Sequence, residues 1–196
     1  EIREDGMVEF LKEAARVVPS KRQLDWFEME RYAFVHYGVN TYTDREWGEG
    51  TEDEKIFNPT ALDCDQWVEA VKSAGLKGLI LTAKHHDGFC LFDSKLTDYK
   101  ATNTPAHRDL VREYIDAFRA EGLKVGLYYS IIDWHHPDFP HYGDRQHPER
   151  DNEAFKGAQH NFDNYLDYMH GQVRELCTNY GKIDIMWFDF SYDDLR

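Results

Sequence analysis

Short apolar runs in this sequence each deliver ionisable or aromatic side chains at their C-terminal end. Tyr32-Ala33-Phe34-Val35 leads to His36. Leu79-Ile80-Leu81-Thr82 leads to Lys84-His85-His86-Asp87-Gly88-Phe89. Val125-Gly126-Leu127 leads to Tyr128-Tyr129-Ser130 and on to Asp133-Trp134. Ile183 to Met186 leads to Trp187-Phe188-Asp189. Asp189 is the strongest catalytic candidate. It follows Trp187 by two residues, so on a strand both side chains point to one side. A carboxylate beside an aromatic wall could attack an anomeric carbon or stabilise an oxocarbenium ion. The competing role is to cap a following helix, for which Asp193 and Asp194 are better placed.

The histidines admit a metal reading and a hydrogen-bonding one. Adjacent residues on a strand face opposite ways, so His85 and His86 make a poor chelate unless they lie in a loop. No HxH or HExxH spacing occurs. Neutral histidines can instead donate to and accept from sugar hydroxyls. His135 and His136 lie in an expected loop, where solvent exposure is the default. Glu46 and Trp47 lie in another loop, as an exposed pair or as part of a sugar subsite. Asp87 and Asp133 suit orienting roles. Neither a GxSxG elbow nor a P-loop is present, so acyl transfer and nucleotide chemistry lack support.

Converging strand ends require a particular scaffold. Trp67, Ala70, Val71 and Ala74 fall on one face of a helix, and Gly75 follows. Val111, Ile115 and Phe118 repeat this over Asp109 to Glu121, before Gly122. Tyr165, Met169, Val173 and Leu176 repeat it over Phe162 to Tyr180, before Gly181. A glycine there can take the left-handed conformation that ends a helix. The apolar runs that follow suit strands buried on both faces of a parallel sheet. Residues 1–31 are expected as a helical lead-in, with Lys21 to Glu30 a helix or turn packing beneath the barrel. The expected fold is therefore α/β: the first half, about four β/α units, of a (β/α)8 barrel, with residues 1–196 the N-terminal portion of one catalytic domain. Long loops at Asn40 to Asp65 and Asp133 to Asn161 follow strands, where such a barrel carries its active site. A doubly wound sheet ranks second, lacking its GxGxxG signal.

Composition narrows the partners. Lys+Arg 23 against Asp+Glu 37 gives a net charge of −14, which disfavours nucleic acid and anionic membranes. Aromatic residues make up 15% of the chain, compatible with a large core or with rings stacked on sugars. Cys64, Cys90 and Cys177 form no CxxC pair and read as buried thiols. No run reaches the roughly 18 apolar residues of a membrane helix. The chain starts at Glu1 rather than Met and stops at Arg196 after an apolar run, so a fragment is expected. A secreted, periplasmic or lysosomal location fits if an upstream signal was removed.

The motifs at the strand ends resemble glycoside hydrolase family 29, the α-L-fucosidases. Phe34-Val35-His36-Tyr37-Gly38, Asn40 to Gly48, Thr82 to Phe89, Leu127 to Ser130 and Trp187-Phe188-Asp189 are similar to its motifs in order and spacing, from about Ser20 onward. The resemblance implies a retaining exo-α-L-fucosidase acting on fucosylated glycans; no cofactor or metal is expected. Asp189 would be the nucleophile. His36, His85 and His86 would hold fucose hydroxyls, Glu46 and Trp47 would complete that side, and Trp187 would line the pocket. Tyr128 is preferred to Tyr129 for the pocket. The form Asp44-Arg45-Glu46-Trp47-Gly48 resembles the branch that prefers α-1,3/1,4-linked fucosides. A retaining enzyme needs a second carboxyl group about 5–5.5 Å from the first. In this family it comes from a later part of the barrel, so no acid/base residue is assigned. Another retaining glycosidase, a non-catalytic carbohydrate-binding relative or fragment, and a metal-dependent hydrolase are the alternatives.

Overall fold

The computed structural model describes residues 4–190. The chain divides into residues 1–31 and residues 32–196. The first unit holds helices α1 (Glu4–Ala15) and α2 (Lys21–Met29). Ser20 and Gln23 start α2 reciprocally. The Ser20 side chain accepts from the Gln23 amide, and the Gln23 side chain accepts from the Ser20 amide at 2.7 Å. Two amides that the helix itself cannot satisfy are thus paired.

The second unit contains strands β1 (Ala33–Val35), β2 (Gly78–Lys84), β3 (Lys124–Ser130) and β4 (Ile185–Asp189). They form a parallel sheet in the order β1-β2-β3-β4. The described strands therefore follow sequence order without the reversal a doubly wound sheet carries at its switch point. Helices α3 (Cys64–Ser73), α4 (Leu110–Ala120) and α5 (Phe162–Asn179) make the crossovers.

Local chemistry explains the joints. Asp63 and Asp109 cap α3 and α4 by accepting from backbone amides, so α3 begins at Cys64, earlier than Trp67 suggests. Leu110, Val111, Tyr114, Ile115 and Phe118 form the buried stripe of α4. The glycines after α3, α4 and α5 all take positive φ: Gly75 68°, Gly122 69° and Gly181 72°. Each lets the chain turn directly into the next strand.

The sheet has two distinct faces. Leu79, Leu81, Val125, Leu127 and Tyr129 pack in the helix-side core with Val68, Val71, Ile115 and Phe118. The opposite face carries Phe34, Tyr128 and Trp187, whose rings meet although β1 and β4 are separated by two strands. Phe34 lies 5.6 Å from Trp187 and 5.8 Å from Tyr128. Neighbouring strands are about 4.8 Å apart, so a sheet curled toward this face permits that contact.

Some expectations need correction. The run from Tyr32 to Gly38 reads as one strand in the sequence, but β1 is shorter. Beyond Val35, the Tyr37 amide donates to the Thr82 hydroxyl, which in turn donates to the Tyr37 carbonyl. A side chain thus replaces the strand ladder. Cys177 is exposed, whereas Cys64 and Cys90 are buried; it lies about 100° round α5 from buried Leu176. A third long connection, residues 85–109, joins β2 to α4. Isolated bridges from Lys84 to Cys90 and from Cys90 to Lys100 pin it beside the sheet. Asp193 and Asp194 lie outside the described residues.

Gly122 isolates the backbone contribution, because an added Cβ would meet nothing within 4 Å. Gly122→Ala is expected to cost about 1 kcal/mol through its positive φ alone. Urea unfolding measures this, and Gly122→Asn should lose less.

Candidate active site

The site gathers where β1 to β4 end. His36 follows β1, and its ring stacks on Phe34 at 5.0 Å. The sheet register shifts between Thr82 and Lys84. That irregularity turns the Lys84 side chain to the helix side, where its Nζ lies 4.4 Å from the Tyr129 ring centre. Lys84 and Asp133 form an ion pair of 2.9 Å, and both side chains are excluded from water. The other Asp133 oxygen accepts from the amides of His135 and His136. The Trp134 amide donates to the His86 carbonyl at 2.8 Å. The loops after β2 and β3 are thereby joined side by side.

His85 and His86 sit in the turn after β2, so strand alternation does not separate them. Their ring centres are 4.1 Å apart. His85 stacks near Tyr128 at 5.6 Å and meets His36 at 5.3 Å. Burial is the main cause that keeps these rings neutral. It pulls His85 down to about 4 and His86 to about 2, with neighbouring histidines acting the same way. His36 is lowered too, chiefly by burial.

Asp189 ends β4 opposite Ser130. Tyr128 donates to Asp189 Oδ2 at 2.6 Å, and the Phe190 amide donates to Oδ1 at 3.0 Å. Two donors thus fix the carboxylate plane. His86 Nε2 lies 4.0 Å from Oδ2. Tyr129 points to the other face, where its hydroxyl donates to buried Gln172. Trp187 remains on the Asp189 side, partly exposed, against Phe34.

The Glu46–Trp47 loop comes over this cluster. Trp47 lies 5.8 Å from His86 and 5.9 Å from Trp134. Glu52 holds the loop by accepting from the amides of Glu49 and Gly50. His135 Nδ1 bonds the Gly50 carbonyl at 2.7 Å. Gly50 has φ 80°, and an added Cβ would sit 2.6 Å from the Trp134 carbonyl oxygen. A cavity of about 340 Å³ includes His36, Glu46, His85, Asp87, Asn40 and Arg45 in its wall. Asp87 is buried, accepts from Asn40 and the Phe89 amide, and has its pKa pushed up to about 7 mainly by burial.

The structure therefore brings together Asp189, Tyr128 and His86 by close approach. His36, His85 and Glu46 share the adjoining cavity, and Trp47 and Trp187 form separate walls. Ser130 and Glu52 were missed. Ser130 was visible only as the last letter of a strand motif, and Glu52 only as one acid in an acidic loop. The expected solvent exposure fails for His136, which is half-buried against Tyr165 and Tyr168. His135 is exposed but stacks on Tyr99 at 4.0 Å. Among the described residues, no group of three or more His, Cys, Asp or Glu is arranged to hold a metal ion, and no helix is long and apolar enough to cross a membrane.

A carboxylate at a strand end of a parallel α/β sheet, walled by indole rings and neutral imidazoles, is the kind of site a glycoside hydrolase presents. The family model for alpha-L-fucosidase matches residues 13–195. Alpha-L-fucosidase 1 of Arabidopsis thaliana is 38% identical over 180 residues, which is 90% of this chain and 32% of that protein. Among solved structures, alpha-L-fucosidase isoenzyme 1 from Paenibacillus thiaminolyticus is 60% identical with a TM-score of 0.82, covering 89% of this chain and 44% of that one. A glycoside hydrolase 29 family member from an unknown rumen bacterium is 44% identical with a TM-score of 0.76, covering 89% and 28% respectively. The chain belongs to the α-L-fucosidase family, glycoside hydrolase family 29. It spans about a third of the length of the curated relative.

Removing one member of the buried ion pair leaves the other charge without a partner. Lys84→Met is expected to cost about 3–5 kcal/mol. Adding Asp133→Asn, which keeps an acceptor for the His135 and His136 amides, should recover part of that loss in urea unfolding. A pH effect follows from the histidines. An unfolded histidine titrates near 6.5, whereas His85 and His147 are held near 4 and His86 near 2. The unfolded chain takes up these protons first, so stability is lost as the pH falls from about 6.5 toward 4. Asp87 and Asp144 are raised by burial and act in the opposite direction, with stability lost as the pH rises. His36, His136 and His141 shift with the other histidines, so the histidine sign prevails. The urea midpoint should be lower at pH 5 than at pH 7.

Proposed function

We propose that this chain is the nucleophile-bearing part of a retaining exo-α-L-fucosidase that releases terminal fucose from glycans. The observation that carries the reading is the Asp189 carboxylate, held by Tyr128 and the Phe190 amide at the strand end in a chain of this family. Asp189 attacks the anomeric carbon and displaces the aglycone oxygen, which takes a proton from an acid on another part of the domain. The resulting fucosyl-enzyme ester is then opened by water, with net retention. His36, His85, His86, Glu46 and Trp47 bind the sugar hydroxyls, and Tyr128 and Trp187 line the pocket. Neutral imidazoles suit this task, because each ring offers one donor and one acceptor.

The scaffold is read as the first half of a (β/α)8 barrel. Support comes from the sequential parallel order of the described strands, from the contact of Phe34 with Trp187 across the sheet, and from the exposure of Trp187 and Phe188 on β4. A further strand would cover that edge. The Asp44-Arg45-Glu46-Trp47-Gly48 loop supports a preference for α-1,3/1,4-linked fucosides.

In the intact protein, Asp189→Gly should lower turnover of an aryl α-L-fucoside by at least about 10³-fold. Azide added to that variant should restore leaving-group release and yield β-fucosyl azide, since the small anion takes the place of the missing carboxylate. Unchanged turnover, or an α-configured azide product, would sink the nucleophile assignment.

A further inference from the structure

We propose that Ser130 sets the tautomer of His86, making the His86 ring a hydrogen-bond acceptor beside Asp189 that selects a donating hydroxyl on the ligand. Ser130 is fully buried at the end of β3, in register with Asp189. Its Oγ lies 2.8 Å from the Ile132 carbonyl and 2.7 Å from His86 Nδ1. A carbonyl oxygen only accepts, and a hydroxyl has a single proton to give. The Ser130 proton therefore goes to Ile132. Toward His86, Ser130 can only accept, so Nδ1 carries the ring proton.

A neutral imidazole has one N–H, and burial keeps His86 neutral. Nε2 is then a bare lone pair. It faces Asp189 Oδ2, another acceptor, at 4.0 Å. That gap is too wide for a direct hydrogen bond. The Tyr128 hydroxyl beside them is already given to Oδ2. The arrangement is complete only when a ligand supplies an O–H to Nε2. A ligand carrying only an acceptor at that point would face two acceptors with no proton between them. Ser130 touches no ligand in this scheme; it is a positioning residue acting through His86. The identity of the ligand as fucose rests on the proposed function, whereas the tautomer does not.

The test uses the intact protein labelled with 15N-histidine, with long-range proton–nitrogen correlation spectra near pH 7. His86 is assigned by the signals lost in His86→Gln. A protonated Nδ1 and an unprotonated Nε2 are expected in the wild type. Ser130→Ala should shift the proton to Nε2, and Ser130→Thr should keep it on Nδ1. L-Fucose binding, followed in the same samples, should weaken about tenfold in Ser130→Ala. Within the deoxyfluoro-L-fucose series, the analogue that lacks the donating hydroxyl should bind wild type and Ser130→Ala alike. A wild-type ring protonated at Nε2 would overturn the proposal even if no Ser130 variant folds. A proton that stays on Nδ1 in folded Ser130→Ala would also overturn it. The expected tautomers without any fucose binding would support the Ser130 role and overturn only the sugar reading.

Discussion

Lys84 and Asp133 are both removed from water, and neither charge could stay there without the other. Burying one unpaired ion costs several kcal/mol even after the protein relaxes. The pair answers this at 2.9 Å, and the Tyr129 ring adds a face for the ammonium. Its consequence is geometric as much as energetic. Lys84 ends the strand that leads to His85 and His86, and Asp133 opens the loop that carries Trp134 and His135. Joining the two charges on the helix side fixes both loops on the site side.

Several features of the site build on that join. Trp134 rests against His86 and Trp47, so the Glu46–Trp47 loop has a floor. His135 fastens the same loop through the Gly50 carbonyl, and Glu52 fastens it from within. The imidazoles crowd together and are buried, which keeps them neutral. Neutrality suits hydrogen bonding to uncharged hydroxyls. The cost is a fold that favours the less protonated histidines and so weakens in acid.

Much of the scaffold is written locally. The stripe of Val111, Ile115 and Phe118 marks a helix because burial repeats with the helical turn. Gly75, Gly122 and Gly181 mark its end because they take the left-handed conformation readily. Strand ends are marked by a change from apolar to ionisable residues, and the structure does bring those ends together. Less was readable where a partner lies far along the chain. Strand alternation would put His85 and His86 on opposite faces, but β2 ends at Lys84 and both lie in the turn beyond it. The short β1 follows from Thr82, whose hydroxyl intercepts Tyr37 from 45 residues away.

The sequence by itself determined the order of elements, the glycine stops, the family, and which residue types stand at the strand ends. Each of these depends on neighbours within a turn of helix, a few strand residues, or a contiguous motif. Only the tertiary structure decided where Lys84 points, which acid pairs with it, and which nitrogen of His86 carries a proton. Those outcomes depend on the meeting of groups from different strands and loops. Ser130 and His86 are 44 residues apart yet 2.7 Å from each other. A hydrogen bond is specified to within tenths of an ångström, a precision that folding supplies and local residue patterns do not carry.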